Sequence, residues 1–188
     1  MASDLKQCKV AILAVDGFEE AELVEPQRAL KEAGVQVDVI SQKPGEIQGF
    51  QHVDKGNKVK VDRTFGEARP DEYDAVVLPG GVVNGDALRI VPEAQSFVKA
   101  ANAAHKPIAI ICHGGWLAVS SDIVRGHKLT SWPTLQDDMR NAGATWVDER
   151  VVRDGNFITS RKPDDIPAFN AELLSALRET RGAAAAAH

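Results

Sequence analysis

A cysteine and a histidine stand side by side where a strongly apolar stretch ends. Residues 108–111 read Ile-Ala-Ile-Ile, and Cys112, His113 and two glycines follow them. A cysteine on a tight turn between a buried strand and a helix has the context of a nucleophile elbow, where the start of the helix favours the thiolate. His113 could then accept or donate the thiol proton. A core cysteine beside a solvated turn histidine would give the same local pattern, so both interpretations stay open.

Two glycines at another strand end could supply hydrogen-bond donors to this site. Residues 74–81 read Asp-Ala-Val-Val-Leu-Pro-Gly-Gly, which predicts a buried strand that ends in a turn. Because glycine lets the backbone come close to a ligand, a backbone N–H freed by these glycines could join the N–H of His113 in an oxyanion hole. This requires the two strand ends to be neighbours, since Pro-Gly-Gly alone indicates only a turn.

A group of carboxylates follows the first apolar stretch, at 9–15. These are Asp16, Glu19, Glu20 and Glu22. Most are expected to be solvated or to lie in the first turn of a helix, where negative charge is favourable. Glu22 could instead turn inward, where burial would raise its pKa and let it donate a proton to the Cys112 thiolate. Cys8 precedes the same stretch, near the opposite edge of the sheet, and is expected to be an inert thiol.

Apolar strands alternate with helical patterns along the chain. The strands predicted for the main sheet lie at 9–15, 35–41, 74–81 and 107–115, and the predicted helices lie at 19–33, 92–105, 116–123, 135–142 and 163–178. Short antiparallel strands are predicted at 44–65, with a hairpin turn at Asp154-Gly155. This alternation predicts an α/β fold with a doubly wound, mostly parallel sheet between helices, and ligands at the carboxyl ends of the strands.

Composition limits the partners of the chain. It has 188 residues, which predicts one domain over 1–181, with a flexible alanine-rich tail at 182–188. With 22 basic and 27 acidic side chains the net charge is −5, so a nucleic acid is not expected as the main partner. No apolar run approaches the roughly 20 residues that span a bilayer, and Asp4 and Lys6 interrupt any signal-peptide core. Two cysteines cannot build a disulfide framework, so a cytoplasmic location without membrane contact is expected.

The sequence contains no recognisable metal or nucleotide motif. The five histidines show no ligand spacing such as His-x-x-x-His, and neither a Gly-x-Gly-x-x-Gly loop nor a phosphate-binding loop is present. We therefore expect neither a metal nor another cofactor.

Six segments together resemble the PfpI family of intracellular cysteine peptidase-like stress proteins. They are DGFEEAELVEP at 16–26, VVLPGG at 76–81, KPIAIICHG at 106–114, KLTSWP at 128–133, QDDMRNAG at 136–143 and VVRDGNFITSRKPDDIPAF at 151–169. That family belongs to the class I glutamine amidotransferase-like superfamily, as do the parkinsonism-associated protein deglycases. The resemblance runs from about Lys9 to Leu177 and implies a flavodoxin-like, doubly wound sheet sandwiched by helices.

The resemblance also implies roles for individual residues. The family's nucleophile matches Cys112, its adjacent histidine matches His113, and the acid that hydrogen-bonds the nucleophile matches Glu22. The oxyanion glycine matches Gly81. In PfpI-like members a further acid from a neighbouring subunit orients the histidine, and Asp86 is the nearest match here. A homodimer or a hexamer is therefore expected.

The activity implied by the resemblance is thiolate attack on a carbonyl without a cofactor. Substrates in the family include small aldehydes such as methylglyoxal (converted to lactate), glycated proteins and peptides. Gly115-Trp116 replaces the usual pair after the nucleophile motif, and Trp132 stands where peptidase-like relatives often have a tyrosine. A large aromatic side chain near Cys112 favours a small aldehyde over a bulky peptide. The alternative functions are a redox sensor or stress chaperone with an oxidisable Cys112, and a catalytically silent member of the fold.

Overall fold

The computed structural model describes residues 5–186 and has a seven-stranded sheet at its centre. The strands are β1 (Lys9–Leu13), β2 (Phe18–Glu19), β3 (Gln36–Ser41), β4 (Gly45–Gln51), β5 (Asp54–Val61), β6 (Arg63–Thr64), β7 (Ala75–Leu78), β8 (Ile108–Ile111), β9 (Lys128–Leu129), β10 (Thr145–Trp146), β11 (Val151–Asp154) and β12 (Phe157–Ser160). The central sheet has the order β11-β12-β8-β7-β1-β3-β6. Its neighbouring strands are parallel, except that β11 runs antiparallel to β12.

Helices cover both faces of this sheet. They are α1 (Glu20–Glu32), α2 (Val82–Leu88), α3 (Pro92–Ala103), α4 (Gly115–Ser120), α5 (Gln136–Asn141) and α6 (Ile166–Ala186). Because side chains alternate along a strand, Val10 and Ile12 of β1 join the core on one face, while Ala11 and Leu13 join the core on the other. Burial on both faces explains why these strands read as continuous apolar runs.

The doubly wound fold expected from the alternating pattern is confirmed. Within the parallel part of the sheet, the order β3-β1-β7-β8-β12 is the flavodoxin-like one. After β1 the chain builds outward to β3, and it then returns to place β7 on the other side of β1. The crevice between β1 and β7 is the topological switch point at which such folds bind ligands.

Two smaller sheets flank the main one. β2, β4 and β5 form a three-stranded sheet, in which β4 and β5 are the antiparallel pair expected at 44–65. β9 and β10 form a parallel pair. The hairpin expected around Asp154-Gly155 is present as β11 and β12.

Helix α2 was not predicted. Its sequence begins with two β-branched valines and includes Asn84 and Gly85, all of which are weak helix formers. Tertiary contacts of Asn84, described below, hold the segment in place.

Helix α6 includes most of the alanine-rich segment at 182–188. Residues 182–186 continue α6, in line with alanine being the best helix former, and residues 187–188 lie outside the described part. Residues 1–4 of the expected domain also lie outside it. No helix in the described part is both long and apolar enough to cross a membrane.

Candidate active site

Cys112 lies on a tight backbone turn directly after β8. Its φ of +60° is in the left-handed region, which residues other than glycine rarely adopt. Two glycines make room for the turn. A Cβ on Gly80 would lie 2.7 Å from the Cys112 Cβ, and one on Gly114 would collide with the carbonyl oxygen of Leu78. This strand–turn–helix arrangement is the geometry of a nucleophile elbow.

Glu22 of α1 is fully buried and interacts with the Cys112 thiol. Its Oε2 accepts a hydrogen bond from the Gly80 N–H at 3.0 Å. Its Oε1 is buried and has no hydrogen-bond partner of its own among the described residues. Burial raises the pKa of Glu22 to about 8, against the opposing effects of the Cys112 thiol and the Gly80 N–H. Glu22 is therefore mostly protonated at neutral pH.

His113 lies beside the sulfur and is also buried. The Cys112 Sγ and the His113 Nδ1 are 3.2 Å apart. Burial lowers the pKa of the His113 imidazole, so the ring is neutral near pH 7. In the tautomer with its proton on Nε2, Nδ1 can accept the thiol proton.

Opposing influences act on the thiol of Cys112. Burial raises its pKa, and a negative charge on Glu22 would raise it further. The backbone N–H groups of His113 and Gly81 donate toward the sulfur and lower the pKa. Deprotonation is therefore easiest while Glu22 carries its proton and His113 can accept the proton of the thiol.

The amides of Gly81 and His113 both donate toward the sulfur of Cys112, at the place where a substrate carbonyl would be attacked. Gly81 has a φ of +91°, and a Cβ there would lie 2.6 Å from the Glu19 nitrogen. The position therefore needs glycine. The strand ends that carry Gly81 and Cys112 are neighbours, because β7 pairs with β8.

A cavity of about 400 Å³ opens onto Cys112. Its walls include the β4–β5 hairpin tip at His52 and Val53, together with Val82 and Trp132. The hairpin tip is tied to the sheet edge because the His52 N–H donates to the Glu19 carboxylate at 3.1 Å. The volume suits a small substrate or a single side chain.

Two tryptophans pack against the His113 ring. Trp132 stacks on it with ring centroids 5.9 Å apart and planes at 27°, whereas Trp116 meets it edge-on at 5.1 Å and 63°. The large aromatic side chains expected near the nucleophile are thus both in contact with the histidine.

Within one chain, Asp86 does not contact the site formed by Cys112, His113 and Glu22. It lies on the exposed surface of α2 and forms no hydrogen bond or ion pair with His113 in residues 5–186. The same surface carries Val82 and Val83, whose exposed fractions of 56% and 57% are high for valine.

Asn84 is a site-building residue that the sequence did not reveal. It is fully buried, its Oδ1 accepts the Val15 N–H at 2.8 Å, and its Nδ2 donates to the carbonyl oxygens of Pro79 and Gly80. Asn84 thereby ties the loop after β1 to the end of β7, where Glu22 and Gly80 meet. A polar residue just after a Pro-Gly-Gly strand end is the signal that could have suggested this role.

Cys8 and Glu20 lie outside this site. Cys8 is buried beside the start of β1, away from the carboxyl edge of the sheet, and neither cysteine forms a disulfide. Glu20 is exposed and binds the backbone and side chain of Asn57. Residues 5–186 contain no group of three or more histidine, cysteine, aspartate or glutamate side chains that could hold a metal ion.

Comparison with known proteins identifies the family. The model of the DJ-1/PfpI family matches residues 8–176. The chain belongs to the DJ-1/PfpI family. It is 44% identical over 170 residues to the deglycase TK1284 of Thermococcus kodakarensis, covering 90% of this chain and 99% of the relative. The putative cysteine protease YraA of Bacillus subtilis is 36% identical over 170 residues, covering 90% and 98%.

A solved structure supports the same assignment. A two-domain protein from Anabaena variabilis, with DJ-1/ThiJ/PfpI-like and ferritin-like domains, matches with a TM-score of 0.86 and 37% identity. The match covers 90% of this chain and 48% of that two-domain chain. The relatives named deglycase and putative cysteine protease support a cysteine-dependent enzyme of this family.

Proposed function

We propose that this protein is a cysteine-dependent, cofactor-independent enzyme that acts on the carbonyl group of small aldehydes and their protein adducts, in the manner of a glyoxalase or deglycase. The observation that carries the proposal is the contact between a buried thiol, a neutral imidazole and a buried carboxyl group at Cys112, His113 and Glu22. A relative that is 44% identical is named a deglycase, which agrees with this proposal.

The reaction begins with Cys112 and His113. The Cys112 sulfur adds to the aldehyde carbon, and the thiol proton passes to His113 Nδ1. The negative charge that develops on the carbonyl oxygen is stabilised by the N–H groups of Gly81 and His113. His113 then returns this proton to the oxygen, which gives a hemithioacetal and leaves the imidazole neutral for the next step, so no atom has been lost or gained overall.

With methylglyoxal, His113 can complete the conversion. It removes the proton from the hemithioacetal carbon and returns a proton to the neighbouring carbon, which gives a lactoyl thioester. Water hydrolyses the thioester to lactate and regenerates the thiol. Neutral Glu22 favours these steps because an ionised carboxyl there would repel the thiolate.

A substrate panel tests this reaction class. Wild-type protein should consume methylglyoxal and glyoxal faster than it cleaves fluorogenic peptides, because the cavity of about 400 Å³ is bordered by Trp132 and the hairpin tip. An enzymatic assay for lactate identifies the product of methylglyoxal turnover. Peptide cleavage in the absence of aldehyde turnover would contradict the proposal and favour a peptidase.

A redox sensor is the second candidate, since Glu22 and two backbone amides surround the same sulfur. Peroxide would oxidise the thiolate through a sulfenate to a sulfinate, with two peroxides reduced to water. Mass spectrometry after mild peroxide treatment would favour the sensor if Cys112 gained two oxygens in a protein that turned over no aldehyde or peptide. A cytoplasmic location forms part of both proposals, in agreement with two cysteines outside any disulfide.

Assembly completes the proposed site through Asp86 of a neighbouring subunit. Support comes from its position on the exposed apolar surface of α2, beside Val82 at the cavity wall. Asp86→Ala is expected to lower turnover by roughly 10²-fold, because His113 loses the acid that orients it. Co-expression of Asp86→Ala with Cys112→Ala should restore part of the activity in mixed oligomers. A fully active monomer, or no restoration in demonstrated mixed oligomers, would contradict the shared site.

A further inference from the structure

We propose that Trp116 and Trp132 form an aromatic bracket that holds His113 in position to accept the Cys112 proton and stabilises the imidazolium that results. The bracket is defined by these two residues. Both act through His113 and are therefore positioning residues. The inference rests on the proposed thiolate chemistry, and it gives Trp116 and Trp132 a role beyond limiting the size of the substrate.

Trp132 presents its face to the imidazole. The two rings are nearly parallel at 27°, with their centroids 5.9 Å apart. A cation within about 6 Å of an indole face is attracted by the negative charge of the ring face. The backbone N–H of Trp132 donates to the Cys112 carbonyl oxygen at 3.4 Å, which keeps the Trp132 backbone beside the nucleophile. Trp132 therefore favours the protonated ring, in opposition to burial, which lowers the pKa of His113.

Trp116 makes a second aromatic contact with the histidine. Its edge-on contact at 5.1 Å places the indole against the imidazole. Trp116 is itself held firmly, because its Nε1–H donates to the Asp138 carboxylate at 3.0 Å and the Arg89 guanidinium lies 5.4 Å from its ring centroid. A Cβ on Gly85 would lie 3.1 Å from Trp116 Cε3, so α2 closes the remaining space.

Within residues 5–186 of one chain no charged side chain pairs with His113, and the acid proposed above to orient it, Asp86, comes from a neighbouring subunit. Glu22 of α1 and Cys112 belong to the same buried cluster, and Glu19 and His52 lie across the cavity. Arg89 and Asp138 lie behind Trp116. No carboxylate in residues 5–186 forms an ion pair with His113, so within one chain the aromatic contacts and the thiol hold its ring.

The test compares three variants without using a substrate. Trp132→Leu removes the aromatic face, Trp132→Phe keeps a smaller one, and Trp146→Phe is a matched control for the loop. Trp146 supports this loop by donating to Ser131 Oγ at 2.9 Å and makes no ring contact with His113. The readouts are the iodoacetamide alkylation rate of Cys112, measured by peptide mass spectrometry, and the His113 pKa, measured by NMR.

Trp132→Leu is expected to slow alkylation at pH 7 by roughly three- to tenfold and to lower the pKa of His113 by about 0.5–1 unit. Trp132→Phe should keep most of the wild-type alkylation rate and a His113 pKa close to the wild-type value. Trp146→Phe should match the wild type in both measurements. Unchanged values in folded Trp132→Leu would overturn the proposal, as would equal losses in Trp146→Phe.

A second measurement covers the case in which Trp132→Leu does not fold. Fluorinated tryptophan keeps the shape of the ring but weakens its attraction for cations. Its incorporation should lower the His113 pKa, as Trp132→Leu is expected to do. An unchanged His113 pKa would refute the bracket. Neither readout needs turnover, so absence of aldehyde activity in the wild type would contradict the proposed function separately.

Discussion

Replacing Cys112 by alanine is expected to lower kcat/KM for methylglyoxal by at least about 10³-fold, so that methylglyoxal is consumed no faster than in buffer without protein. The sulfur is the atom on which His113 Nδ1, Glu22 and two backbone amides converge. The alanine variant keeps the backbone turn but has no atom that can add to a carbonyl. Lactate formation under initial-rate conditions measures the loss.

Cys8 provides a matched control for this substitution. It is as deeply buried as Cys112 but lies beside the start of β1, remote from the cavity. Cys8→Ala should therefore keep wild-type turnover. Wild-type rates in a clean preparation of Cys112→Ala, or a comparable loss in a well-folded Cys8→Ala, would refute the assignment of Cys112 as nucleophile.

Replacing Glu22 by glutamine is expected to change how activity depends on pH. Glu22 has its pKa raised to about 8 by burial, so it is neutral below that pH and charged above it. A charged Glu22 disfavours the thiolate, so the wild-type rate should fall about tenfold per pH unit above pH 8. Glu22→Gln has no proton to lose and should lack this fall. Glu25→Gln, at an exposed glutamate of the same helix, should keep the wild-type profile.

The same carboxyl group links stability to pH. Between about 4.5 and 8, native Glu22 holds a proton that the unfolded chain has released. Its contribution to stability is therefore complete below pH 4.5 and is lost as the pH rises toward 8. The total loss is roughly 4–5 kcal/mol in the free energy of unfolding. Urea unfolding at several pH values should show this decline in wild type and a flatter profile in Glu22→Gln, whereas parallel profiles would contradict a buried, protonated Glu22.

The sheet, and the strand ends at which the candidate site lies, could be predicted from local patterns. Continuous apolar runs before Cys112 and before Pro79 indicated strands buried on both faces, and both strands are present as β8 and β7. The inward turn of Glu22 was also considered, because the family resemblance matches it to the acid that hydrogen-bonds the nucleophile. These features are encoded within short segments, where strand burial and turn chemistry dominate.

The features that were missed depend on contacts between distant segments. Helix α2 has poor intrinsic helix propensity and is held by the buried side chain of Asn84, which hydrogen-bonds to the backbone of Val15 and of Pro79. The packing of Trp132 on His113 joins residues 19 positions apart through the third dimension. No local pattern specifies such contacts, because they arise only when the strand ends meet at one edge.

The most direct test of the account is to map the covalent adduct formed during turnover. Wild-type protein mixed with methylglyoxal, quenched in acid and digested, should carry one methylglyoxal-derived group on the Cys112 peptide, in an amount that falls as the aldehyde is consumed. The Cys112→Ala variant should show no such adduct. Turnover with adducts confined to lysine and arginine peptides, and none at Cys112, would contradict the account.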